Sequence, residues 1–151
     1  MKLFILFIVF NVSTFSLYSQ NKTIKGRVIS DDLEPMLLVS IMINDTVEVG
    51  KTDLNGFFQI DVPVSEKKII FRAVGLDPAT IELVDNCDEI EVVMMLIGTD
   101  DFMTLSRSER MRKKRFKKLS EIHKDAFEKG IFKTEYACYN RKFEPYFLDK
   151  N

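Results

Sequence analysis

The side chains of Asp53 and Asn55, followed by Gly56, are the residue types with which a calcium-binding loop begins. A helix–loop–helix calcium site needs glycine at the sixth position of its loop and glutamate at the twelfth. Counted from Asp53, the glycine here is the fourth residue and the twelfth is Val64. We therefore expect no metal here and interpret Thr52, Asp53, Asn55 and Gly56 as a tight turn between two strands.

His123 is the single histidine, and it has no partners at a zinc-site spacing. Nothing near it in sequence supports a Ser-His-Asp relay, and we expect it to be a partly exposed structural residue on a helix. The chain has no glycine-rich phosphate loop, and its carboxylates are scattered over turns. The sequence thus predicts no catalytic residue, no metal site and no cofactor, and a hydrolase is the least favoured function.

Cys87 and Cys138 are the two cysteines, and two interpretations remain open. In an oxidising compartment they would form a disulfide, which by loop entropy contributes on the order of 4 kcal/mol. Alternatively, they are two separate buried thiols that behave as small apolar side chains.

A strongly basic run occupies residues 110–118, in which seven of nine residues are basic. Such runs bind nucleic acid or anionic lipid, or they form a solvated helix face. We expect no nucleic acid, because the chain is interpreted below as exported, whereas anionic lipid stays open. The candidate contacts for an anion or a partner are Arg110, Arg112, Lys113, Lys114, Arg115, Lys117 and Lys118.

The formal net charge of −1 hides an asymmetry between the two halves of the chain. Residues 21–100 carry 7 Lys/Arg and 15 Asp/Glu, whereas residues 101–151 carry 14 Lys/Arg and 8 Asp/Glu. Opposite charge predicts two units that dock on each other, and the alternative is a basic half that binds something anionic.

Five aromatic residues follow the basic segment at intervals of three or four. This spacing fits a second short helix that ends before Pro145, or an extended tail whose rings pack on the sandwich. Rings of this kind also stack on sugars, which makes a carbohydrate-binding module the alternative function, although packing is favoured. The candidate stacking residues are Phe132, Tyr136, Tyr139, Phe143 and Tyr146.

The elements that must position these residues follow from alternation and turn signals. About seven short strands are predicted at 23–30, 37–44, 47–51, 57–62, 69–74, 80–84 and 89–96. They indicate a Greek-key antiparallel β-sandwich within residues 22–98. Ser106 and Glu109 are spaced as a capping box, and a helix extends to Lys129 with Gly130 as its C-cap, so residues 105–151 form a basic helix and an aromatic tail.

The first nineteen residues have the pattern of a secretory signal peptide. Lys2 precedes an apolar run from Leu3 to Val12, and small polar residues lead to a cleavage site after Ser19. An uncleaved anchor is the alternative, but the run is shorter than the ~20 residues of a membrane span. We expect an exported protein that is periplasmic or associated with the outer membrane.

Residues 24–96 resemble the carboxypeptidase regulatory-like domain, a prealbumin-type β-sandwich. The main match is Gly50-Lys-Thr52-Asp53-Leu-Asn55-Gly56-Phe57-Phe-Gln-Ile60, with weaker matches at Ile24-Lys-Gly26-Arg-Val28, Val39-Ser-Ile41, Ile70-Phe71, Gly75, Thr80-Ile81-Glu-Leu83 and Val92-Val93-Met94. The chain departs from the family in lacking the glycine before the second strand and in having Leu76 where an aromatic residue often follows the glycine.

The resemblance implies a non-catalytic module. In carboxypeptidases this domain lies beside the zinc enzyme and carries none of its ligands, and similar domains precede TonB-dependent receptors of the outer membrane. We therefore expect a binding or interaction module at the bacterial cell envelope. An unidentified envelope protein is its expected partner, and glycan and anionic lipid are the alternatives.

Overall fold

The computed structural model describes residues 20–98 and 103–146, so the expected signal peptide at residues 1–19 lies outside it. The seven strands are β1 (Asn21–Ser30), β2 (Ser40–Ile43), β3 (Val47–Lys51), β4 (Phe57–Pro63), β5 (Lys68–Arg72), β6 (Ala79–Glu82) and β7 (Glu89–Met94). Two helices follow, α1 (Leu105–Lys117) and α2 (Leu119–Glu128). Neither of these helices has the length and apolar character needed to cross a membrane.

The strands form two sheets, in the orders β4-β1-β7 and β3-β2-β5-β6, which confirms the predicted mainly-β sandwich with C-terminal helical structure. The pairs within the second sheet and the β1–β4 pair are antiparallel. The β1–β7 pair is parallel, with Lys25 opposite Glu89 and Ser30 opposite Met94. Turn signals did not predict this pair, because the chain passes through the other sheet between these strands and no hairpin fixes their relative direction.

Strand β2 is shorter than predicted, because Leu37 and Leu38 precede it in a turn. Leu38 has a φ of 54°, and both leucine side chains are exposed. The buried Thr52 side chain connects this turn to the hairpin: its Oγ1 donates to the Met36 carbonyl at 2.6 Å and accepts from the Val39 N–H at 2.9 Å.

The segment from Thr52 to Gly56 forms the predicted turn. The Asp53 carboxylate accepts hydrogen bonds from the backbone N–H groups of Asn55 at 2.9 Å and Phe57 at 2.8 Å. Gly56 has a φ of 77°, and a Cβ there would lie 2.3 Å from the Val28 carbonyl oxygen. Asp53 and Gly56 therefore have a structural role: they close the hairpin, and its turn packs against β1.

The main core lies between the two sheets, and β7 carries buried side chains on both of its faces. Ile90, Val92 and Met94 pack into the sandwich interior. Val93 points the other way, into a second cluster with Ile29, Ala126 and Phe132. The strand is buried on both faces because α2 and the tail cover the outer face of the β4-β1-β7 sheet.

The helical segment begins earlier than the capping box predicted. Thr104 is the N-cap and makes no side-chain capping bond, so Ser106 lies inside α1 and its predicted capping role is wrong. The chain then bends at Lys118, between α1 and α2. Gly130, with a φ of 72°, ends the segment as predicted: its N–H bonds to Phe127, and the Ile131 N–H bonds to Ala126.

The tail after Gly130 is not helical and runs through a series of bends with one β-bridge at Asn140, so the predicted second short helix does not form. Its backbone donors bond to the sandwich instead of to a helical turn. The N–H groups of Lys133 and Thr134 reach the Glu91 carboxylate, and Asn140 forms a β-bridge with Glu82. Aromatic residues spaced by three or four are thus explained here by packing along a surface rather than by a helical stripe.

Candidate functional site

The C-terminal unit, residues 103–146, docks on the acidic sandwich, as the charge asymmetry predicted. Four ion pairs join the two parts: Arg112–Asp77, Arg115–Asp31, Lys133–Glu89 and Lys142–Glu82. The Lys133 and Lys142 side chains are largely exposed, so those pairs contribute little. The two arginine pairs are more enclosed and orient α1.

Arg112 is the most heavily bonded residue of this interface. Its Nε donates to the Asp77 carboxylate at 2.7 Å and its Nη1 donates to Glu109 at 2.8 Å. The guanidinium lies 3.8 Å from the centre of the Tyr146 ring, whose hydroxyl donates to the other Asp77 oxygen at 2.6 Å. Only 14% of the Arg112 side chain and 5% of the Asp77 side chain are exposed. Burial acts to lower the pKa of Arg112, but the bond to Asp77 and the nearby carboxylates outweigh it and raise the pKa.

Arg112 is therefore not free to contact a partner, which corrects part of the predicted basic site, whereas Arg115, whose side chain is 38% exposed, is engaged with the sandwich by one ion pair. Arg115 donates to the Asp31 carboxylate at 2.5 Å. Both arginines lie on one side of α1 together with Phe116, because residues three and four apart share a helix face. The sequence could have revealed this by extending the apolar stripe of Phe116 and Leu119 back by one turn.

The opposite side of α1 carries exposed basic side chains that we call the cationic face. None of them forms an ion pair with a carboxylate of residues 20–98 or 103–146. Glu109, the acidic residue of α1, is bonded to Arg112 and so does not neutralise this face. The cationic face consists of Arg107, Arg110, Lys113, Lys114, Lys117 and Lys118.

Glu91 anchors the tail, although no sequence pattern singles it out. Its carboxylate is 5% exposed and accepts from the Lys133 N–H at 2.7 Å. It also accepts from the Thr134 N–H at 3.1 Å and from the Thr134 hydroxyl at 2.8 Å. A buried carboxylate that accepts three hydrogen bonds holds the tail firmly, because such charge-assisted bonds are stronger than neutral ones.

Cys87 and Cys138 form a disulfide, with their Cα atoms 5.9 Å apart. The bond links the loop before β7 to the tail beyond the Glu91 anchor. The interpretation as two separate thiols does not describe this structure.

The five tail aromatics do not form an exposed stacking platform. Phe132 is 3% exposed and packs in the second cluster, so its predicted role in ligand stacking is wrong. The Tyr139 hydroxyl donates to the Glu91 carbonyl, and burial raises the pKa of this phenol to about 12. Phe143 packs edge-on against Phe116 at 5.4 Å, and Tyr146 is stacked on Arg112.

Tyr136 differs from the other four, because its ring is 72% exposed. It stands at the rim of a cavity of about 310 Å³, the helix–tail cavity, which lies between the helices and the tail. The Phe116 and Tyr139 rings and the Val93 side chain also line this cavity. The polar groups of the lining are Lys117, Ser120, His123, Glu135 and Arg141.

His123 lines this cavity and is buried, not partly exposed as the sequence suggested, because the tail covers α2. Its Nε2 lies 3.1 Å from the Thr134 carbonyl oxygen, and its ring lies 4.8 Å from that of Phe132. Burial lowers the pKa of His123, despite the opposing effects of the Thr134 carbonyl and Glu91. Its Nδ1 is buried and has no hydrogen-bond partner among the residues that the structure describes. A catalytic relay would need both ring nitrogens bonded, one to a nucleophile and one to a carboxylate, and this arrangement is absent.

Arg141 is a second residue of the cavity that the sequence did not single out. Its Nη1 donates to the Val93 carbonyl at 2.7 Å, and its guanidinium lies 5.5 Å from the Phe116 ring centre. Burial lowers its pKa despite the opposing effects of Tyr139, Asp77 and Glu144, and no carboxylate of the described chain forms an ion pair with it. An arginine of this kind retains free donors for an anion.

Within residues 20–98 and 103–146, no group of three His, Cys, Asp or Glu side chains has the arrangement of a metal site. No protein-family model matches the chain. The comparison with curated proteins gave no significant match either.

Proposed function

We propose that this protein is a non-catalytic, exported binding module of the bacterial cell envelope, and that its cationic face binds an acidic surface of an envelope protein. One observation carries the proposal. Arg112 and Arg115 hold one side of α1 against Asp77 and Asp31, so that six basic side chains are presented together on the other side.

The rigidity of this arrangement favours binding over simple solvation. A flexible basic tail would lose conformational freedom on binding, whereas the docked helix already holds its charges in place. Charge complementarity across an interface mainly accelerates association and excludes wrong partners. The expected complex is therefore rapid to form and sensitive to salt.

A protein surface is favoured over a membrane for a structural reason. A helix that lies on a membrane inserts an apolar face and adds charge attraction to it. In α1 the side that carries Phe116 is held against the sandwich by Arg112 and Arg115 and packs on Phe143 of the tail. The exposed apolar side chains of the helix are Met111, beside the cations, and Leu105 at its first position. The cationic face thus offers charge with little apolar surface to insert.

Export and the relationship to carboxypeptidase regulatory-like domains are parts of the same proposal. The seven-stranded sandwich and the hairpin closed by Asp53 and Gly56 support the relationship, and the Cys87–Cys138 disulfide supports an oxidising compartment.

The test is capture from envelope extract with the double variant Arg110→Glu/Lys114→Glu. The matched control is Lys25→Glu/Lys67→Glu, which makes the same charge change at exposed sandwich lysines. We expect the face variant to lose about tenfold or more of the captured partner and the control to retain it, with capture weakened as ionic strength rises from ~0.05 to ~0.5 M.

Crosslinks from α1 to acidic residues of the captured protein would identify the surface directly. Equal capture by wild type and the face variant would refute the proposal. Co-sedimentation with phosphatidylglycerol vesicles that is lost in the face variant, without a captured protein, would assign the face to lipid instead.

A further inference from the structure

The helix–tail cavity opens beside the cationic face, and Lys117 belongs to both. Arg110, Lys113 and Lys117 follow one another at intervals of three and four residues, so their side chains form one row along α1. The row ends at the cavity, because Lys117 and Ser120 contribute to its lining. A partner that lies along this row of cations therefore reaches the opening of the cavity.

The lining of the cavity suits an aromatic side chain. Its aromatic and cationic members are Phe116, Tyr136, Tyr139, Lys117 and Arg141. Aromatic rings pack offset or edge-on against other rings, and cations are attracted to their faces. The volume of about 310 Å³ is at the small end of the range for ligand pockets, which suits one large side chain. The cavity thus matches a single aromatic anchor, the kind of residue that dominates the energetics of protein interfaces.

The rim of the cavity is accessible and the charge around it is positive. The Tyr136 ring is 72% exposed, so it loses contact with water when a second apolar side chain packs on it. Glu135 is the acidic residue of the lining, but its carboxylate pairs with Lys124 at 3.5 Å and does not pair with Lys117. Charge complementarity therefore favours an acidic partner segment beside the aromatic anchor.

We propose that the partner of the cationic face presents an extended acidic segment, of which one aromatic side chain enters the helix–tail cavity. This inference rests on the proposed function and specifies what the face binds. In an extended segment, side chains on one side recur every second residue, roughly 7 Å apart. Arg110 and Lys117 are separated by roughly 10 Å along the helix axis. Carboxylates two and four residues from the aromatic anchor therefore lie along the row of cations.

The probe is a hexapeptide with blocked termini, in which tryptophan is followed by glutamate two and four positions later, with serine elsewhere. Because the chain has no tryptophan, the fluorescence of the peptide reports burial of the anchor alone. Titration with the full, disulfide-bonded chain should shift the tryptophan emission to shorter wavelength and should saturate. Two comparison peptides have alanine in place of tryptophan, or glutamine in place of both glutamates. We expect each to compete for the probe site at least about tenfold more weakly than the unlabelled parent peptide does.

Two variants test the position of the anchor. Tyr136→Ala removes the ring at the rim, and Ser120→Phe fills the cavity from α2. We expect each to weaken binding of the probe at least about fivefold. The control is Leu54→Ala, which removes a similarly exposed apolar side chain at the hairpin turn and should leave binding unchanged. Amide exchange in the tail shows whether it stays docked, and if Ser120→Phe releases it, the exposed Tyr136 position decides the question.

A charge variant tests the row of cations. At an ionic strength of ~0.05 M, we expect Lys113→Glu to weaken binding of the probe at least about fivefold. Lys67→Glu makes the same change at an exposed lysine of the sandwich and should leave binding unchanged.

Three results would overturn the inference: no shift of the tryptophan emission, equal binding of either comparison peptide, or wild-type affinity in the Tyr136→Ala variant. Capture from envelope extract separates this inference from the proposed function. Capture that is lost in Arg110→Glu/Lys114→Glu but complete in Tyr136→Ala would overturn the use of the cavity and leave the cationic face as the binding surface. Equal capture by wild type and Arg110→Glu/Lys114→Glu would overturn the proposed function itself.

Discussion

The Arg112 guanidinium donates a 2.7 Å hydrogen bond to the Asp77 carboxylate, and both side chains are almost fully enclosed between α1 and the sandwich. The pair fixes the orientation of the helix and therefore which of its basic residues face outward. Arg112 also bonds to Glu109, so it retains a carboxylate if Asp77 is lost.

We expect Asp77→Ala to lower the free energy of unfolding by about 2–3 kcal/mol, because a mostly buried charge loses its main partner and the Tyr146 hydroxyl loses its acceptor. Urea denaturation measures this change. The control is Asp45→Ala, whose pair with Lys68 spans 3.7 Å between exposed side chains and contributes ~0–1 kcal/mol. Equal losses in the two variants would show that Asp77 has no special role.

A second prediction concerns the glycines at positive φ. Gly56→Ala should destabilise the protein more than Gly130→Ala. Both positions carry the left-handed cost of roughly 1–2 kcal/mol. At Gly56 the new Cβ also meets the Val28 carbonyl oxygen at 2.3 Å, whereas nothing lies within 4 Å at Gly130. Thermal unfolding of the two variants gives the comparison, and a larger loss at Gly130 would contradict it.

The disulfide gives a third prediction. The mass of the non-reduced protein should be lower than that of the dithiol by two hydrogen atoms. Reduction, or the variant Cys87→Ser/Cys138→Ser, should lower the free energy of unfolding by up to about 4 kcal/mol on the chain-entropy estimate for the 51-residue separation. Labelling of both cysteines by a thiol reagent in the non-reduced protein would contradict the bond.

His123 gives a fourth prediction, on pH. Burial lowers its pKa from 6.5, so the folded state binds the proton less readily than the unfolded chain. Above pH 6.5 both states hold a neutral ring and the residue has no effect. As the pH falls below 6.5, the unfolded chain is protonated first, and stability declines until the pH reaches the folded pKa.

The measurement is urea denaturation between about pH 8 and pH 5, above the range in which most carboxylates titrate. His123→Gln is the test variant, because its amide can still donate to the Thr134 carbonyl but does not titrate in this range. We expect a flatter stability profile for the variant than for wild type. Identical profiles would mean that another group controls this range.

The strands and the helix were predictable because their signals are local. Alternation of buried and exposed residues, as from Phe57 to Val62, follows directly from strand geometry. The turn at Asp53 and the cap at Gly130 depend on backbone chemistry within a few residues. These parts of the fold needed no knowledge of distant contacts.

The candidate site was less predictable, because it is made by tertiary contacts. Arg112 and Lys113 are neighbours in one basic run, and only the stripe of Phe116 and Leu119, extended back by one turn, separates the docked residue from the exposed one. The roles of Glu91 and Arg141 depend on contacts that are made where the tail crosses β7. The same part of the tail buries His123. The parallel β1–β7 pair was unpredictable for the same reason, since its two strands are distant in sequence.

That pair has a consequence for the order of assembly. Strand β1 is the first to emerge during synthesis, but it lies in the centre of its sheet and its second edge is satisfied only by β7. A nascent chain that stops before Glu89 exposes an open edge, which other chains can join. The protein thus stays vulnerable to misassociation until β7 has been synthesised, and the long sequence separation of this strand pair is of the kind that slows folding.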